Sequence, residues 1–143
     1  MPGECTYEWT LRLDGPTVVV HARLVNARSD SFRYRARSQE LPAVYTNGPW
    51  YRLFTYAGSE PFTRAPVALI PKRTVARGEF PWHRFNATEH WAALVDDNDQ
   101  GLGIWAPGVV GFLGGFSGRE GRGGPNDGPT GYISEPPPQG ASK

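Results

Sequence analysis

Apolar side chains recur at every second position through most of this chain, and no stretch repeats them at the three-and-four spacing of a capped helix. That rhythm restricts the backbone to half-buried strands, because successive strand side chains point to opposite faces. Residues 6–13 put Tyr7, Trp9, Leu11 and Leu13 on one face, with polar residues between. Residues 17–26 put Val18, Val20, Ala22 and Leu24 on one face; His21 and Arg23 share the other with Val19 and Val25. Asp14-Gly15-Pro16 between them is turn chemistry. Residues 31–38 alternate Phe32, Tyr34 and Ala36 with Arg33, Arg35 and Arg37. Shorter strands are expected at 43–45, 50–56, 67–70, 102–105 and 109–113, with 67–70 an edge strand ended by Pro71. Residues 87–95 are expected to form one strand with Glu89, Trp91, Ala93 and Val95 on a common face, followed by a hairpin turn at 96–101. With 18 glycines and 14 prolines, long helices are disfavoured. The fold class is therefore all-β: an antiparallel β-sandwich of jelly-roll or supersandwich type, either a whole domain or part of one.

At 143 residues the chain has the length of one domain and can bury a core. That domain is expected to span 1–134. Within it, the Gly-rich segment 114–133 is read as a long ordered loop anchored by Phe116 and Tyr132, and 135–143 as a disordered tail. With 15 basic and 14 acidic residues the net charge is +1. That is too weak a field for a nucleic-acid partner. One cysteine, Cys5, excludes an internal disulfide and a Cys-based zinc site. No apolar run is long enough for a membrane helix, so a membrane partner is not expected. The first residues lack a secretory signal pattern. The chain is thus expected either to be cytoplasmic or to be part of a longer protein.

The chemistry lies in the aromatics. Five Trp, six Tyr and seven Phe occur, most densely from Phe80 to Trp105 and beside carboxylates. A sugar ring offers C–H faces that stack on aromatic rings and hydroxyls that bond to acids, so carbohydrate is the first ligand to consider. The same aromatics could instead fill a sandwich core. An open groove is expected to be lined by Trp50, Tyr51, Trp82, Trp91 and Trp105, with Gln39, Tyr45, Asn47 and His90 nearby.

Two glutamates are the candidate catalytic residues. Glu40 precedes a Pro-containing loop and is either a rim carboxylate for sugar or an ion-pair partner of Arg33, Arg35 or Arg37. Glu89 stands in an apolar row, where burial would raise its pKa and suit it to general-acid work. Alternatively it meets an arginine at an open strand end. Together the two could form the carboxylate pair of a glycosidase. Asp127 is a further ligand contact if the Gly-rich segment is a flap, with Arg119, Arg122 and Asn126 beside it; the alternative is an uncommitted surface loop.

Other chemistries are poorly supported. His21, His83 and His90 have no recognised ligand spacing, so no metal site is assigned. Residues 96–101 superficially resemble a calcium loop, but the twelfth position counted from Asp96 is Pro107 where an EF-hand needs Glu. No G-x-S-x-G element and no phosphate-binding glycine motif occurs, and no cofactor is expected.

The runs TVVVHARLVNARSD and FRYRARSQELPAVY, with EHWAALVDDNDQGLGIWAPG later, resemble the middle of a galactose-mutarotase-like supersandwich. The resemblance spans about residues 6–115. It implies the sandwich fold and a connection to sugars, as in bacterial carbohydrate-active hydrolases and lyases. The mutarotase reaction itself is not implied. Where mutarotases carry a His-Pro-aromatic element, this chain reads Gln39-Glu40-Leu41-Pro42. The expected function is a carbohydrate-active domain that binds, or also hydrolyses, an oligo- or polysaccharide. The alternative is a non-catalytic accessory β-module of a larger or truncated protein.

Overall fold

The computed structural model describes residues 5–29, 43–76, 79, 81–123 and 130–134. They form ten strands and no helix: β1 (Cys5–Asp14), β2 (Thr17–Asn26), β3 (Ala43–Thr46), β4 (Arg52–Tyr56), β5 (Val67–Ile70), β6 (His83–Asn86), β7 (Trp91–Val95), β8 (Gly101–Trp105), β9 (Gly111–Ser117) and β10 (Thr130–Ser134). They fall into two compact units, one within residues 1–37 and the other within 38–139.

The first unit is the antiparallel hairpin β1–β2, in register from Cys5 opposite Asn26 to Asp14 opposite Thr17. Its two-residue turn places Gly15 at φ 56°, the left-handed conformation that the first central position of such a turn requires and that glycine adopts without strain. Trp9 stands opposite Ala22, Leu11 opposite Val20 and Leu13 opposite Val18, so the apolar alternation of both strands falls on one face. The other face carries the Glu8–Arg23 ion pair at 3.4 Å and the Arg12–Asp14 pair at 3.1 Å.

The second unit is a sandwich of two antiparallel four-stranded sheets, ordered β3-β10-β9-β6 and β5-β4-β7-β8. In the second sheet, Leu53 lies level with Ile70 and Leu94, and Leu94 with Leu102. Phe112 and Ile133 supply the first sheet's share of a core that also holds Ala87, Ala92 and Ala106. Thr55 is the polar member of the inner row; its hydroxyl donates to the Trp91 carbonyl at 2.8 Å, which offsets its burial.

Three expectations change. The Gly-rich segment is not a loop at its ends: β9 runs to Ser117 and β10 occupies the interior of its sheet. The reason is close approach. A Cβ on Gly114 would lie 2.9 Å from the Tyr132 carbonyl oxygen, and one on Gly131 would lie 2.9 Å from Leu94. These glycines admit neighbours that a side chain would exclude. Strand β6 has no alternating signature in the sequence and forms by pairing with β9. Finally, β7 begins at Trp91, because His90 adopts φ 63° and breaks the extended run. The expected strand 31–38, together with Gln39, Glu40, Asp127 and the 135–143 tail, lies outside the described residues.

Candidate functional site

The outer face of the sheet β5-β4-β7-β8 is where the aromatic and acidic residues converge. Trp91 and Trp105 stand directly opposite each other on β7 and β8. Their parity sets them away from the core positions Ala92 and Leu94. Trp91 is half-buried and Trp105 is 69% exposed. One rung along, Phe54, Ala93 and Gly103 are aligned, with Leu69 beyond Phe54 on the edge strand. The Arg52 guanidinium lies 4.8 Å from the Phe54 ring centroid and donates to Asp99 Oδ1 at 2.9 Å. The result is an apolar strip with a pair of indoles at one end.

Glu89 stands at that end, in the turn between β6 and β7 rather than on the strand. The turn is closed by the His90 amide donating to the Ala87 carbonyl at 2.8 Å. Glu89 Oε2 accepts from Trp91 Nε1 at 3.1 Å, and Oε1 accepts from the Phe62 amide at 3.1 Å. Both oxygens are thus engaged: one aims the indole, the other holds loop 57–66. That loop is anchored twice more. The Tyr56 hydroxyl accepts from the Thr63 and Ala65 amides, both at 2.9 Å. The Thr88 hydroxyl donates to the Gly58 carbonyl at 2.7 Å. Phe62, at φ 58° and 84% exposed, is presented to solvent beside Glu89.

The remaining sequence candidates stand elsewhere. Trp82 stacks on Tyr132 at 4.9 Å and 23°, on the first sheet, and Tyr45 leans on the same Tyr132 ring at 4.8 Å. Gly115 makes this possible: a Cβ there would lie 3.1 Å from the Trp82 ring and 2.7 Å from the Pro81 carbonyl oxygen. Trp50 packs against the core, over Gly48. Asn47 is exposed just after β3. His90 Nδ1 lies 2.9 Å from the Val109 carbonyl oxygen, so it carries the proton and donates, tying the β6–β7 turn to the β8–β9 connection. The Tyr51 hydroxyl donates to Asp97 Oδ1, and its ring meets Phe116 edge-on at 6.2 Å. That hydrogen bond to a carboxylate, with some desolvation and the nearby negative charge, holds the Tyr51 pKa above the ordinary phenol value.

Of the residues singled out in the sequence, then, Glu89, Trp91 and Trp105 come together, and Tyr45, Trp50, Tyr51, Trp82 and His90 do not join them. Phe54 belongs to the strip and Phe62 stands in the loop that Glu89 holds; neither was foreseen. Register with β7 reveals Phe54; no periodic signal marks Phe62. Two shallow clefts, of about 360 and 400 Å³, lie along residues 72–75 and β6, away from this face. Among the described residues no three His, Cys, Asp or Glu side chains are grouped to hold a metal ion. In the 96–101 turn, Asp96 Oδ1 accepts from the Asn98 and Gln100 amides at 2.8 and 3.1 Å, so this oxygen serves its own turn. No family model, curated protein or solved structure matches the chain.

Proposed function

We propose that the outer face of β5-β4-β7-β8 binds carbohydrate, and that the chain is a binding domain rather than a hydrolase. The observation that carries this reading is the Glu89–Trp91–Trp105 arrangement. Two indoles paired across neighbouring strands offer stacking surface to adjacent sugar units, and the carboxylate fixes one indole's orientation before any ligand arrives. Pre-set aromatic surface lowers the ordering cost of binding. The resemblance to galactose-mutarotase-like supersandwich domains agrees with a sugar ligand.

The engagement of both Glu89 oxygens favours binding over catalysis. A general acid must present a proton to the leaving oxygen, and this carboxylate is already occupied by two donors. The strip is open and lies apart from the two clefts, which suits an extended chain of a plant-type polysaccharide rather than a single enclosed unit.

Intrinsic tryptophan fluorescence, titrated with xylohexaose and cellohexaose, tests the proposal. A saturable shift that disappears in Trp105→Ala and persists in Trp82→Ala is expected. A spectrum unmoved by either oligosaccharide, with no pull-down on insoluble cellulose or xylan, would leave the accessory-module reading in its place.

A further inference from the structure

The β1–β2 hairpin poses a separate problem. Among the described residues this unit holds two strands, and an isolated two-stranded hairpin is marginal in water. Yet here Leu11 is 64%, Leu13 78% and Val18 55% exposed, on a single face. The opposite face is closed to the same use: Glu8 pairs with Arg23 and Arg12 with Asp14, groups that gain nothing from being buried. An exposed apolar patch of this size, on the face opposite the paired charges, marks an interaction surface.

We propose that a second copy of this chain covers it, the two hairpins stacking apolar face to apolar face as a four-stranded sandwich about a two-fold axis. Three features select this occupant. The face is uncharged along its rungs, so it offers nothing to steer a charged partner. Its rungs are regularly paired from Trp9–Ala22 to Leu13–Val18, so an identical face can lie against it at the usual sheet-to-sheet spacing. A two-fold contact also brings the Leu11–Val20 rung against the same region of its mate, as an isologous interface requires. The area suffices for such a contact. Six large side chains are exposed (Trp9, Leu11, Leu13, Val18, Val20, Leu24). Burying them on both copies removes on the order of 1,000 Å² in total, the lower bound for a specific interface. An interface of that size gives a reversible dimer with a dissociation constant on the order of micromolar.

Sedimentation velocity of the whole chain, from about 1 to about 200 μM, tests the proposal around that dissociation constant. The expected result is a concentration-dependent monomer–dimer equilibrium. Leu11→Glu and Leu11→Lys should each weaken it at least ~10-fold by placing like charges across the axis, and an equimolar mixture of the two should restore a dimer. Circular dichroism of both variants separates lost association from lost folding, and the mixing arm reads the interface even if each variant is less stable. A chain that stays monomeric throughout overturns the proposal. So does a dimer indifferent to Leu11→Glu, a mixture that fails to reassociate, or a monomer that binds phosphatidylcholine vesicles through this face.

Discussion

Two outer faces of the sandwich unit carry tryptophan, and they seat it differently. On β3-β10-β9-β6, Trp82 lies flat on Tyr132, which is wholly buried, and the stack sits over a glycine with no spare room. On β5-β4-β7-β8, Trp91 and Trp105 rise from a sheet whose neighbouring glycine, Gly103, has open space: a Cβ there would meet nothing nearer than 3.8 Å. Residue type does not separate the packed indole from the presented ones. The atoms beneath and beside each ring do. Gly115 lets one ring settle into the structure, and Glu89 holds another at its nitrogen.

This contrast is open to attack at several points, beginning with the largest effect. Gly115→Ala should cost about 2–4 kcal/mol, because the added carbon meets the Pro81 backbone oxygen, which cannot swing aside. Urea unfolding measures this, and a loss under half a kcal/mol would show the first face to be less tightly built than described. Trp82→Ala should cost about 3 kcal/mol of stability and leave oligosaccharide affinity intact. Trp105→Ala should do the reverse, with stability nearly unchanged and affinity lower by about 2 kcal/mol, or roughly 30-fold. If both variants behave alike, the two faces are not distinct. Glu89→Gln retains one acceptor oxygen and loses the other, so either the Trp91 indole or the Phe62 amide is released. Affinity should fall by about 1 kcal/mol, and isothermal titration of Glu89→Gln and Glu89→Ala ranks the two. Gly103→Ala should lie within about 0.5 kcal/mol of the parent in a thermal melt.

The sequence carried the strands that alternate and concealed those that do not. β1, β2 and β8 follow from period two with Gly or Pro stops, β5 from a short apolar run ended by Pro71, and the Asp96 turn from its polar run. The strand expected at 109–113 covers only the start of β9; the rest of β9 and all of β10 were hidden because their glycines read as loop. Only the facing Tyr132 carbonyl, Trp82 and Leu94, brought in by tertiary pairing, explain why a strand there must lack side chains. At the site, Trp91 and Trp105 were nominated by composition, and their companionship followed only from the β7–β8 register. Glu89 was chosen for standing in an apolar row. It earns its place instead from a turn at His90 that no alternation pattern contains. Trp50, Tyr51 and Trp82 were grouped with them because sequence nearness to acids cannot distinguish the two sides of a sheet.

The pairing of β3 with β10 has a consequence for how the molecule is made. Tyr45 and Tyr132 are neighbours across that ladder, yet almost the whole of the unit is threaded between them. The sheet built from β4, β5, β7 and β8 joins segments that emerge from the ribosome close together, whereas β3 must wait for β10 to be translated. Such distant closure is slow. The β5-β4-β7-β8 sheet is thereby set to assemble first, and the delayed strand is the place where a chaperone or a wrong neighbour has the longest opportunity to intervene.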